Sequence, residues 1–319
     1  MDGRVRPWRM LVVAVAWGSC FLLLDWGVRG GSVLWFVTWR ALIAALALGC
    51  FGVINRRRAA AAIPQLSVPT WGLIGVLGML NVAVAFAAMG ASVGAVTTGS
   101  ASVLGNAQAL LVVLPAWWLF GERPRLAEIA GVATGFGGLM LVAGSAGGGR
   151  GAWLALLAAA AIAAGALLAR RLDAVDVVVV GAGQFLIGGA ILAVAAGIAD
   201  GSPLHGLSLR FVAAAFALAL AGTALPYVLW FTELRRASIT AVTSWTLLVP
   251  VVGVALGVLV LGESLAPRQF AGTALVIGAM VLVATSGRRH SERLVCWQQS
   301  GCSLVCERPD DLSAGGESA

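Results

Sequence analysis

The sequence predicts an all-α membrane protein of ten transmembrane helices, arranged as two inverted five-helix repeats with both termini cytoplasmic. Three observations lead there. The first is composition, 60% hydrophobic and 11% charged, where soluble domains run about 45–50% and about 25%. The second is distribution. Apolar residues come in blocks about 20 long, the length that crosses a hydrocarbon core about 30 Å thick, and most lack the polar face of a long soluble helix. The third is a duplication of short motifs 141 residues apart.

Taken in order, the first span covers residues 10–28. Arg4, Arg6 and Arg9 precede it as the basic region of a signal peptide would, and Trp17-Gly18-Ser19-Cys20 has the outline of a lipoprotein cleavage box. Trp17 stands where such a box takes a small aliphatic residue, and many spans follow, so the segment is read as a retained helix. Gly30-Gly31 precedes the second span, 33–54, and Arg56–Arg58 follow it. Pro64 and Pro69 lead to the third, 71–92. The weak break Val93–Val96 separates it from the fourth, 97–120, and Arg123-Pro124-Arg125 introduces the fifth, 127–145. Gly147–Gly149 precede the sixth, 151–170. The seventh, 177–199, ends at Asp200-Gly201-Ser202-Pro203. The eighth, 210–232, and the ninth, 238–261, follow, and Ala266-Pro267 opens the tenth, 268–286.

Charge tests the count. The net charge of +7 rests on arginine alone, because the chain has no lysine. A nucleic-acid binder would carry a continuous basic stripe. These arginines cluster between apolar blocks, so no nucleic-acid partner is expected. Ten spans with a cytoplasmic N-terminus put Arg4, Arg6, Arg9, Arg56, Arg57, Arg58, Arg123, Arg125, Arg170, Arg171, Arg235, Arg236, Arg288 and Arg289 inside. Only Arg29, Arg150, Arg210 and Arg268 fall outside. The positive-inside rule asks for that asymmetry, and one helix more or fewer in the middle would scramble it. The expected location is a bacterial cytoplasmic membrane, with lipids as neighbours.

At the offset of 141, Gly121-Glu122 falls on Gly262-Glu263, Ala130-Gly131 on Ala271-Gly272, and Gly137 on Gly278. The two units, 10–145 and 151–286, hold five helices each. An odd number makes the second copy enter from the opposite side, the inverted repeat of secondary transporters, whose sites lie near the midplane between halves. Residues 287–319 form a polar tail expected to be disordered and cytoplasmic. Its Cys296, Cys302 and Cys306 match no common zinc spacing.

Ala16-Trp17-Gly18-Ser19, Thr38-Trp39-Arg40-Ala41, the two Gly-Glu span endings, and Pro250 thirteen residues before Glu263 give the chain a family likeness. It resembles the drug/metabolite transporter superfamily, specifically the EamA-type permeases, over about residues 10–286. Ala109 stands where the first half would repeat Pro250, so no proline kink is expected in the fourth span. The resemblance implies substrate transport without ATP hydrolysis, and no Walker-type loop or cofactor motif is present.

Polar groups inside a span are costly unless partnered, and they mark candidate sites. Thr98, Ser102 and Asn106 recur at i, i+4 and i+8, and Ser102 corresponds to Thr243 at the repeat offset. Asn81, Gln184, Tyr227 and Trp230 add hydrogen-bonding groups to an otherwise apolar interior, as small-molecule sites require. With the motif residues Trp17 and Ser19 and the intramembrane Arg40, these are the candidate substrate contacts. The structural alternative is that the hydroxyls bond their own helices and the amides join neighbouring ones. Arg40 is expected to pair with Asp25, as a clamp, an outer gate or a receptor for an anionic substrate group. Glu122 and Glu263 are expected to anchor or gate helix ends, with Arg123 or Arg125 partnering the first and Arg268 the second. Gly131 with Gly135, and Gly253 with Gly257, have the spacing of close helix contacts, within the bundle or across a homodimer.

The expected activity is alternating-access transport of a small metabolite or drug-like molecule, more readily efflux than uptake. Translocation of a lipid-linked substrate is the rival within the class. A multi-pass membrane enzyme would need acids and histidines clustered at one membrane face, and the two histidines, His205 and His290, fall on opposite sides.

Overall fold

The computed structural model describes residues 5–29, 31–58, 66–93, 95–111, 115, 126–145, 149–172, 175–203, 207–234, 236, 242 and 244–282. Every named element among them is helical. Six helical stretches are long and apolar enough to cross a membrane, and three shorter apolar helices accompany them.

The first stretch consists of α1 (Pro7–Gly18) and α2 (Cys20–Val28). Pro7 opens α1, where its missing N–H leaves nothing unpaired. Ser19 makes a local turn within this stretch, and its hydroxyl donates to the Ala16 carbonyl at 2.9 Å. Backbone bonds from Ser19 to Val15 and from Leu23 to Ser19, both 2.9 Å, run across it, so the helix expected over 10–28 continues through its motif residue. α3 (Val33–Arg58) runs unbroken. α4 (Val68–Leu77) starts on Ser67, whose hydroxyl accepts from Thr70 N–H, and passes through a π-helical segment, Gly78–Val84, into α5 (Ala85–Ser92).

α6 (Thr98–Gly105) and α7 (Gln108–Leu111) begin the fourth predicted span, with a break at Asn106 where one continuous helix was expected. α8 (Leu126–Ser145), α9 (Arg150–Ala169) and α10 (Val177–Ala199) follow. α11 (Leu209–Ala219) passes through a second π-helical segment, Leu220–Ala224, into α12 (Leu225–Leu234). α13 (Leu248–Leu261) and α14 (Pro267–Leu282) complete the described helices. The tail from 287 lies outside the described residues.

The π segments carry the repeat into three dimensions. Subtracting 141 from Leu220–Ala224 gives 79–83, inside Gly78–Val84. A π turn widens the helix and is retained mainly where function uses it. In the second one, the Thr223 hydroxyl donates to the Leu218 carbonyl five residues back, at 2.9 Å.

One buried cluster draws Leu24, Phe36, Leu48, Phe86, Phe185, Phe211 and Leu218 from α2, α3, α5, α10 and α11. A second gathers Leu104, Leu110, Leu139, Ala155 and Met280 from α6 to α9 and α14. α3 and α10 lie antiparallel and are tied at both ends. At one end Ser32 bonds Asp200 and Trp35 Nε1 donates to the Gly201 carbonyl at 3.2 Å. At the other Arg56 meets Asp176 at 2.6 Å. Close approach needs a small residue here: a Cβ on Gly189 of α10 would lie 2.7 Å from Leu42 Cδ2 of α3. Leu46, Ile198 and Leu259 turn outward, as a lipid-facing surface requires.

Candidate functional site

A cavity of about 540 Å³ opens between α3, α10 and α12. Asn55, Arg56, Asp176, Tyr227, Phe231 and Arg236 line it. Asp176 is fixed twice, accepting from Val178 N–H at 2.9 Å as the N-cap of α10 and pairing with Arg56. Tyr227 donates to the Val177 carbonyl at 3.2 Å, and its ring lies 4.5 Å from that of Phe231.

Behind Tyr227 runs a series of aromatic contacts. The Tyr227 and Phe185 centroids are 5.9 Å apart and edge-on, Phe185 and Phe86 are 6.0 Å apart, and the Arg40 guanidinium carbon lies 3.9 Å over the Phe86 ring. Arg40 is only 4% exposed. Its Nε donates to Thr223 Oγ1 at 3.0 Å, while Nη1 and Nη2 reach only sulfurs, Met89 Sδ at 3.9 Å and Cys20 Sγ at 3.8 Å.

The pairing of Arg40 with Asp25 does not form. Asp25 bonds Arg29 instead, one helical turn away, with Nε to Oδ2 at 3.1 Å. An i, i+4 pair at a solvent-exposed helix end forms locally, whereas Arg40 points inward to Thr223.

Asn81, in the first π segment, donates to Gln184 Oε1 on α10 at 3.3 Å, and its own Oδ1 is buried without a partner. Thr223, in the second π segment, meets Arg40 on α3. Each π segment therefore carries a side-chain contact to a helix of the other sequence repeat, and in the second the Gly222 carbonyl also accepts from Cys20 Sγ on α2 at 3.6 Å. Trp17 and Trp230 also come together, with centroids 5.3 Å apart.

Other candidates are placed elsewhere. Asn106 ends α6 and donates to the Ser102 carbonyl at 2.7 Å, the local bond of the structural alternative. Ser102 Oγ is buried without a partner against Gly253 of α13, where an added Cβ would meet Ser102 Cβ at 2.5 Å. Gly253 and Gly257 are thus occupied by packing inside the chain. Thr243 and Glu122 lie outside the described residues.

Glu263 does not pair with Arg268. Its Oε1 accepts from Thr98 N–H at 2.5 Å and its Oε2 from Gly99 N–H at 3.0 Å. The carboxylate complements the N-terminus of α6 instead. Sequence reasoning also missed Glu233, one residue beyond the predicted eighth span. Its carboxylate is fully buried and accepts from Arg9 Nη1 at 2.9 Å and from Arg6 N–H at 3.0 Å. Thr223 was missed as well, although a lone threonine in the apolar stretch 211–225 was a readable signal.

The profile of the EamA-like transporter family matches residues 8–144 and 149–285. The chain belongs to the EamA-like transporter family. Its EamA halves meet at the π segments and at α3 with α10. The chain is 30% identical over 305 residues to a probable terminal-alkyne amino-acid exporter of Streptantibioticus cattleyicolor, covering 89% of this chain and 95% of that one. It is 29% identical over 288 residues to a probable amino-acid metabolite efflux pump of Escherichia coli K12, covering 85% and 92%. It is also 29% identical over 281 residues to the uncharacterised inner membrane transporter YedA of the same strain, covering 86% and 89%. A solved crystal structure, 18% identical, superposes with a TM-score of 0.64 over 88% of this chain and 98% of its own, which establishes the shared fold. The protein is a multi-pass membrane transporter.

Proposed function

We propose that this EamA-like protein exports a small metabolite from the bacterial cytoplasm by alternating access through ten spans with both termini inside. The observation that carries this reading is the cavity lined by Arg56 and Arg236, residues at span ends that the positive-inside rule assigns to the cytoplasm. The ends assigned to the opposite face are bridged by Ser32 to Asp200, Trp35 to Gly201, Glu263 to Thr98 and Gly99, and Gln269 to Thr97 at 2.8 Å, and the cytoplasmic ends keep two ties beside the cavity, Arg56 to Asp176 and Arg9 to Glu233. Every one of these bridges joins ends that the ten-span topology puts on the same side. A cavity that opens among the ends assigned to the cytoplasm is what an inward-facing carrier requires. The names of two relatives, an amino-acid exporter and an amino-acid metabolite efflux pump, favour amino-acid-sized solutes and the outward direction.

The test is flux in proteoliposomes, comparing amino acids, nucleosides, sugars and cationic dyes with and without a proton gradient. Saturable flux of one class supports the carrier. Folded and oriented protein that moves none of them overturns it in favour of lipid translocation or a role other than transport.

A further inference from the structure

Arg40 and Glu233 are the buried charged residues among those described, and only Glu233 has a partner of opposite charge. Asp25, Asp176, Asp200, Glu233 and Glu263 are each bonded elsewhere, to Arg29, Arg56, Ser32, Arg9 and the start of α6. No carboxylate among the described residues reaches Arg40, although 96% of it is removed from solvent (4% exposed). A buried cation without an anion is strongly disfavoured, and membrane proteins keep one where it is used. Its Nε is held by Thr223, so the guanidinium is oriented. Its two outer nitrogens face only the sulfurs of Cys20 and Met89, which are weak acceptors at 3.8 and 3.9 Å. That leaves free the edge through which arginine binds a carboxylate with two parallel hydrogen bonds.

The same guanidinium ends the aromatic series that begins at the cavity. Tyr227 lines the cavity, and Phe185 and Phe86 fill the space between it and Arg40. Arg40 lies seven residues from the start of α3 and Arg56 a further sixteen, so the two are roughly 24 Å apart along the helix at about 1.5 Å per residue. The buried cation therefore sits deep in the span, beyond the mouth of the cavity.

We propose that Arg40 is the receptor for a carboxylate on the transported solute, reached from the cavity past Tyr227, Phe185 and Phe86. The solute class is a monocarboxylate with an apolar or aromatic body. The carboxylate replaces the two sulfurs on Nη1 and Nη2, Thr223 keeps its bond to Nε, and the body lies against the phenylalanine rings. This rests on the transporter reading above and adds the chemistry that the site selects.

The experiment uses the full chain in proteoliposomes and four radiolabelled probes: L-phenylalanine, 3-phenylpropionate, L-phenylalaninamide and phenethylamine. The first two carry a carboxylate and the last two do not. Wild type is expected to move both acids about 10- to 100-fold faster than the amide and the amine, the fold-change that corresponds to losing charge-assisted hydrogen bonds. Arg40→Gln is expected to abolish that preference, and Arg40→Lys to keep part of it. Wild type carrying the amide as fast as the acid overturns the proposal and leaves a carrier in place, as does flux confined to nucleosides, sugars or dyes. Arg40→Gln that slows acid and amide equally, or keeps the preference, also overturns it and makes Arg40 a structural clamp. If Arg40→Gln does not fold, the wild-type ratio of acid to amide and the Arg40→Lys ratio decide. Absence of flux for all of these and for the wider panel removes the transporter reading too.

Discussion

The carboxylate of Glu263 receives the N–H groups of Thr98 and Gly99 at 2.5 and 3.0 Å, so the loop after α13 holds the first turn of α6. These are two of the donors that every helix start leaves unpaired, and a full negative charge beside them is favoured by the dipole. Glu263→Gln keeps one acceptor but turns an amide donor toward the other N–H. It is expected to lower unfolding stability by about 1–2 kcal/mol, read as a fall in melting temperature of the detergent-solubilised protein. Arg268→Ala is expected to change little, since Arg268 does not contact the carboxylate.

Gly257 shares this device. A Cβ there would lie 2.5 Å from Glu263 Oε2, so Gly257→Ala displaces the carboxylate from α6. The expected loss resembles that of Glu263→Gln, and the double variant is expected to lose no more than either single one plus about 0.5 kcal/mol, because both remove one interaction. Full additivity in a thermal-unfolding cycle would show that the two residues act separately.

The same residues show how far the sequence could be read. Apolar block length located the six long apolar helices and the three shorter ones that are described, because it follows directly from the bilayer's thickness. The break at Asn106 was not legible: its amide turns back to the Ser102 carbonyl four residues earlier, which spacing alone does not reveal. The π segments were hidden for a similar reason, since an apolar run reads alike with a widened turn. Asn81 and Gln184 were visible as polar residues in apolar spans, but their bond to one another was not. Glu263 was visible as a repeated motif, yet its partner was sought among arginines, and backbone N–H groups leave no mark in a sequence.

Glu233 and Arg9 form a pair whose two halves differ in exposure, 0% for the glutamate side chain and 18% for the arginine. That asymmetry sets the order of two effects. Arg9→Gln leaves a fully buried carboxylate with only Arg6 N–H to stabilise it and is expected to cost about 3–5 kcal/mol. Glu233→Gln leaves an arginine whose long chain extends to the membrane surface, and its cost is expected to be smaller, about 1–2 kcal/mol. Melting temperatures of the two variants, compared at one pH and one detergent concentration, test the order; the reverse ranking would mean that Arg9 gains no such release.

The two π segments make a quantitative comparison possible, because in each a side chain bonds a side chain of the other repeat. Arg40 to Thr223 is a charge-assisted bond at 3.0 Å, and Asn81 to Gln184 joins neutral amides at 3.3 Å. Charge-assisted bonds contribute about 1.5–3 kcal/mol, whereas neutral bonds between membrane helices average about 0.6 kcal/mol. Thr223→Val removes the acceptor for Arg40 and the donor to the Leu218 carbonyl together, so it is expected to destabilise the fold by at least about 2 kcal/mol and to slow flux. Thr223→Ser keeps both bonds and is expected to behave as wild type. Asn81→Ala and Gln184→Ala, combined in a double-mutant cycle, are expected to couple by less than about 1 kcal/mol. Coupling in that amide pair as strong as the loss at Thr223 would show that the second π segment owes nothing special to the buried guanidinium.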